Sequence, residues 1–113
     1  MNGQAVVVGV GESTYYKHGE APDTEFQLAC TAICRAAEDA GLEPSQLDGL
    51  ISYMDYRNSP LRIAAALGFD ELRWSATPWA GGGNNSSASV QFADAAVCGG
   101  YANYVVVFRA LAQ

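Results

Sequence analysis

Short, continuously apolar runs alternate along this chain with longer stretches whose apolar residues recur at helical spacing. Residues 5–10, Ala-Val-Val-Val-Gly-Val, are β-branched and apolar throughout, the pattern of a strand buried on both faces of a parallel sheet. Residues 11–22 are polar and turn-rich. A capping box, Thr24-Glu25-Phe26-Gln27, then predicts a helix with Phe26, Cys30, Ile33, Ala37 and Ala40 on its apolar face, ended by Gly41. Asp48-Gly49 predicts a turn into a second strand, Leu50-Ile51-Ser52-Tyr53. Ser59 and Pro60 read as N-cap and first position of a short helix carrying Leu61, Ala64, Ala65 and Leu67, stopped by Gly68. A third strand is expected over Arg73–Thr77, and a third helix from the triple glycine to about Cys98, before Gly99-Gly100. Tyr104–Phe108 is the last apolar strand, expected to be central. The order β-α-β-α-β-α-β predicts an α/β fold with a mostly parallel sheet and helices on both faces.

Composition narrows the function classes. The 113 residues are half apolar and 16% charged, which favours a packed domain over a disordered chain. A net charge of −6 and scattered Lys and Arg residues disfavour a nucleic-acid surface, because nothing lines up to neutralise phosphates. No run approaches the roughly 20 apolar residues of a membrane span. The start of the chain lacks the pattern of a signal peptide, so a cytoplasmic protein is expected. Three cysteines without a C-x-x-C pair, and a lone His18 far from them in sequence, predict no metal site and three small buried side chains.

The stretch Gly81-Gly82-Gly83-Asn84-Asn85-Ser86 carries the strongest chemical signal. It links a strand to a helix, where free N–H groups and the helix dipole suit a carbonyl oxygen, an oxyanion or a phosphate. Glycines there let a ligand approach the backbone, and the amides and hydroxyls would polarise a carbonyl. These six residues are the expected substrate-binding set. Ser86 and Ser87 lack the G-x-S-x-G elbow of a serine nucleophile. Gly9-Val10-Gly11-Glu12-Ser13-Thr14 fails as a dinucleotide fingerprint, since Thr14 stands at the third glycine and no helix follows directly. His18, within Tyr15-Tyr16-Lys17-His18, is a weak candidate base. Arg62 and Arg73 are weak candidates for a phosphate. Glu38-Asp39 and Asp70-Glu71 read as solvated charges. The small residues over Ser86–Val97 predict close packing against a second copy.

Several segments in order resemble the amino-terminal part of thiolase-like proteins, nearest the sterol-carrier/lipid-transfer-protein thiolase branch. They are Val7-Val8-Gly9-Val10-Gly11-Glu12-Ser13, Ala37–Leu42, Leu47–Leu50, Ala66-Leu67-Gly68, the triple glycine, and Ala95–Ala102 followed by Val105-Val106-Val107. The resemblance implies a three-layer thiolase-like half and acyl-CoA thioesters as substrates, with coenzyme A entering as part of the substrate and no covalently bound cofactor. It also implies a homodimer. Residues 1–113 are accordingly expected to be part of a longer thiolase-like chain.

Typical thiolases begin the third helix with a nucleophilic cysteine, whose place falls at or near Gly83. No cysteine stands there, and Cys98 lies at the far end of the helix. Thiolysis needs a thiolate, so the resemblance points instead to CoA-dependent aldolases that cleave β-hydroxyacyl-CoA, notably of steroid side chains, with a small zinc-ribbon/OB-fold partner. The acid and base of that reaction are expected outside these residues, so no catalytic residue is assigned. A thiolase-type acyltransferase and a non-catalytic acyl-CoA or lipid-binding subunit are the alternatives.

Overall fold

A computed structural model of the chain describes residues 5–12, 25–52, 59–76 and 84–108, with Glu25 and residues 84–88 described by their backbone alone. Helix α1 spans Glu25–Ala40, strand β1 Gly49–Ser52, helix α2 Pro60–Leu67, strand β2 Trp74–Ala76, helix α3 Asn84–Cys98 and strand β3 Val105–Phe108. A single 3-10 turn, Pro44–Gln46, precedes β1. The strands form a parallel sheet in the order β2-β1-β3. Gly49 lies opposite both Trp74 and Val105, and Ser52 opposite Phe108.

Alternation along β1 divides the core. Leu50 joins Ala29, Ile33 and Ala37 of α1, Ile63 and Ala64 of α2, Leu47 and Phe108 in one buried cluster. Ile51, fully buried on the opposite side, faces α3, which packs across β1 and β3. The result is a three-layer α/β arrangement with α1 and α2 on one face and α3 on the other. Each of the three α-helices among the described residues is followed within two residues by a glycine with left-handed φ: 76° at Gly41, 72° at Gly68 and 81° at Gly100.

Several expectations need correction. Residues 5–12 form no strand: Val6, Val7, Val8 and Val10 are 75%, 80%, 55% and 73% exposed. Their backbone turns to α1 instead of the sheet. The Val10 N–H donates to the Asp39 carboxylate at 2.9 Å, and Arg35 donates to the Glu12 carbonyl at 2.8 Å. Gly9 and Gly11 sit against the α1 backbone so closely that a Cβ on Gly9 would lie 2.5 Å from the Ala36 carbonyl oxygen. The observed order therefore starts with α1, and among the described residues β3 is an edge strand with β1 in the centre. In α2 the buried residues are Ile63 and Ala64, whereas Leu61 and Ala65 are exposed. Ser59 occupies the N-cap position, but its side chain makes no capping bond. Thr24 of the expected capping box lies outside the described residues.

Candidate functional site at the C-terminal edge of the sheet

Parallel α/β sheets bind ligands beyond the carboxyl ends of their strands, where helix N-termini converge. Here those ends are Ser52, Ala76 and Phe108, and α3 opens beyond β2 with its N-terminus at the same edge. Of the sequence-predicted set, only the backbone of residues 84–86 is described there. Asn84, Asn85 and Ser86 form the first turn of α3 by their backbone. Gly81, Gly82 and Gly83 lie outside the described residues, as do His18 and its tyrosines.

The α3 helix keeps the Cys98 thiol away from this edge. Fifteen residues at about 1.5 Å rise carry Cys98 roughly 20 Å from Asn84. Its S–H donates instead to the Asp94 carboxylate, at 3.7 Å. One turn into α3, Ser89 is fully buried and its hydroxyl has no hydrogen-bond partner. Its place among Ser86, Ser87, Ala88 and Ser89 marked it as small, which lets α3 approach the sheet.

The opposite edge holds a residue that the sequence showed only as half of a turn. Asp48 is 8% exposed, and its carboxylate accepts the backbone N–H groups of Asn103, at 3.0 Å, and Tyr104, at 2.8 Å. Its main-chain carbonyl accepts the N–H of Arg73 at 2.8 Å. An Asp followed by Gly ahead of a strand reads as a turn. The carboxylate's partners, 55 and 56 residues away, leave no local trace.

Both candidate phosphate-binding arginines are engaged elsewhere. Arg62 lies over the Phe26 ring, 4.0 Å from its centroid. Arg73 pairs with Glu71 at 3.4 Å and approaches Asp48 at 3.9 Å. Asp39, expected to be a solvated helix-end charge, anchors Val10. The three cysteines are half-buried rather than buried, with Cys30 packed against the core cluster. Burial pushes the Cys30 thiol above its ordinary value; neighbouring Cys34 adds to the rise, and Arg62 partly offsets it.

No family model matches the chain. It is 38% identical over 110 residues to the steroid side-chain-cleaving aldolase of Thermomonospora curvata. The same comparison gives 37% identity over 110 residues to the 17-hydroxy-3-oxo-4-pregnene-20-carboxyl-CoA lyase of Mycobacterium tuberculosis. Each alignment covers 97% of this chain, but only 27% and 28% of the relatives. Among solved structures, the Ltp2–ChsH2(DUF35) aldolase superposes with a TM-score of 0.85 at 36% identity, covering 94% of this chain and 27% of that one. A monomeric SCP2-thiolase-like protein of Mycobacterium smegmatis matches in fold, with a TM-score of 0.68 at 23% identity over 90% of this chain and 22% of that one.

The chain shares the fold of the SCP2-thiolase-like protein. Its sequence similarity is to the named aldolase and lyase, and it spans about a quarter of their length. The shared fold accounts for the three layers around a parallel sheet. Among the described residues, no helix is long and apolar enough to cross a membrane.

Proposed function

We propose that this chain is the amino-terminal part of a thiolase-like lyase that cleaves a β-hydroxyacyl-CoA by retro-aldol chemistry, with a steroid side chain as the substrate class. The observation that carries the proposal is the 37–38% identity, over nearly the whole chain, to two enzymes named for this cleavage. The missing cysteine at Gly83 supports it, because a retro-aldol step needs no covalent acyl-enzyme. A base removes the proton of the β-hydroxyl, and the carbonyl forms as the neighbouring C–C bond breaks. The electron pair passes to the α-carbon as a thioester enolate, which is protonated to the shorter acyl-CoA.

In this reading the backbone N–H groups at the start of α3, with Gly81, Gly82, Gly83, Asn84, Asn85 and Ser86, hold the thioester oxygen as its negative charge develops. Coenzyme A enters as part of the substrate. The acid and base come from the remainder of the subunit. We extend the proposal to a cytoplasmic homodimer working with a small zinc-ribbon/OB-fold partner. A relative solved under the name of a two-component aldolase supports the partner subunit.

The test is to incubate the intact protein and its partner with a 17-hydroxy steroid carrying a 20-carboxyl-CoA side chain. Chromatography with mass detection should show a 17-ketone and a short acyl-CoA in equal amounts. Absence of both products with the partner present overturns the lyase reading. Products that require added free coenzyme A would establish the acyltransferase alternative instead.

A further inference from the structure

Helix α1 carries two thiols one turn apart, Cys30 and Cys34, both half-buried and neither bridged. Residues at this spacing share a helix face, with Cβ atoms about 5–6 Å apart. A disulfide needs Cβ atoms about 3.8 Å apart, so the intact helix cannot close one. An atom inserted between the sulfurs meets no such limit. With metal–sulfur bonds of about 2.3 Å, a two-coordinate centre spans the gap without moving the backbone.

Burial and the neighbouring Cys34 keep the Cys30 thiol protonated until a thiophilic centre displaces its proton, and Arg62 of α2 lies close enough to offset part of that rise. Stacking on Phe26 fixes that guanidinium, and Phe26 is itself one turn before Cys30 on the same stripe. No carboxylate or imidazole completes a larger set, since no group of three or more His, Cys, Asp or Glu is assembled among the described residues. A centre satisfied by two soft sulfur ligands matches what is present, and a hard cation does not.

We propose that Cys30 and Cys34 form a dithiol site for a soft, thiophilic centre, either a trivalent arsenical or a metal ion content with two thiolates. With an arylarsine oxide the reaction balances without a redox step. Each thiol loses its proton, two As–S bonds form, and the oxygen leaves as water.

The test uses the purified protein and phenylarsine oxide. One equivalent should raise the mass of the chain by the reagent less one water. It should also protect Cys30 and Cys34 together from N-ethylmaleimide, leave Cys98 open to labelling, and be reversed by ethane-1,2-dithiol. Cys34→Ser should weaken binding roughly a hundredfold or more, the usual loss when two linked binding groups become one. The same mapping on the unaltered chain needs no variant to fold. Protection of one cysteine without the other, equal uptake at Cys98, or unchanged affinity in Cys34→Ser overturns the proposal.

Discussion

The Asp48 carboxylate accepts the backbone N–H of Tyr104 at 2.8 Å, while the Tyr104 carbonyl accepts the N–H groups of Asp48 and Gly49, each at 3.1 Å. This reciprocal set fixes the starts of β1 and β3 side by side. Because the Asp48 carbonyl also takes the N–H of Arg73, one residue ties the starts of all three strands together.

Replacing Asp48 with Ala strands the N–H groups of Asn103 and Tyr104 in a partly buried place. Bonds to a charged acceptor contribute roughly 1.5–3 kcal/mol each, so a loss of about 3 kcal/mol is expected. Asp48→Asn, which keeps an acceptor, should lose about half as much. Urea unfolding, read as a lower midpoint at constant slope, checks both.

Ser89→Ala should act in the opposite direction. The hydroxyl is fully buried and unpartnered, so removing it relieves a desolvation penalty of about 1 kcal/mol and leaves no group orphaned. A higher thermal midpoint is expected. A drop of similar size would show that the oxygen has a partner in solution.

Gly11→Ala should release residues 5–12 from α1. A Cβ at that position would collide with the Ala36 amide nitrogen and crowd the Ala32 carbonyl oxygen at 2.7 Å, and backbone atoms cannot step aside. Overpacking of this kind costs about 1–3 kcal/mol. Hydrogen exchange at the Val10 amide should accelerate while exchange in β1 stays unchanged.

Gly68→Ala isolates a backbone effect. Nothing lies within 4 Å of the added methyl, so the cost comes from φ of +72° alone, about 1 kcal/mol. Gly68→Asn should recover part of it, because Asn tolerates the left-handed region better. Thermal melting of the pair separates conformational strain from a clash.

The raised Cys30 thiol gives a pH dependence with a definite sign. The folded state holds its proton to higher pH than the unfolded chain does, so this contribution is intact below the ordinary thiol range. It is lost as pH climbs from about 8.5 toward the folded value. Alkylation of Cys30 should lag behind that of a free thiol at pH 8 and catch up at more alkaline pH. Cys30→Ala should flatten the alkaline decline in stability.

Elements with local punctuation were legible in the sequence. The glycines at 41 and 68, Ser59-Pro60, and the apolar runs at 50–52 and 105–108 locate helices and strands within a residue or two, because each signal acts through its own neighbours. Residues 5–10 were misread for the converse reason. Their apolar run is compatible with a strand, but whether a strand forms depends on which edge lies free beside it, and that is a property of the sheet. Asp48 was undervalued on similar grounds, since its partners come from β3. The candidate site rests on the strand-to-helix switch before Asn84 and on the absence of a cysteine near Gly83 in the sequence, while residues 81–83 lie outside the described residues. The acid and base of the proposed reaction have no candidates here, and the 113 residues span only about a quarter of the relatives named for that chemistry.

The link between Asp48 and Tyr104 also governs the order of assembly. It joins residues 56 apart in a chain of 113, and even the β1–β2 pairing must bring together Gly49 and Trp74, 25 positions apart. Such separations defer the reward of strand pairing until much of the loop-closure entropy has been spent. During synthesis β1 emerges early, with its apolar residues and both edges open, and gains its second neighbour only when β3 follows it. The interval between those two events is the period in which this sheet is most exposed to wrong pairing.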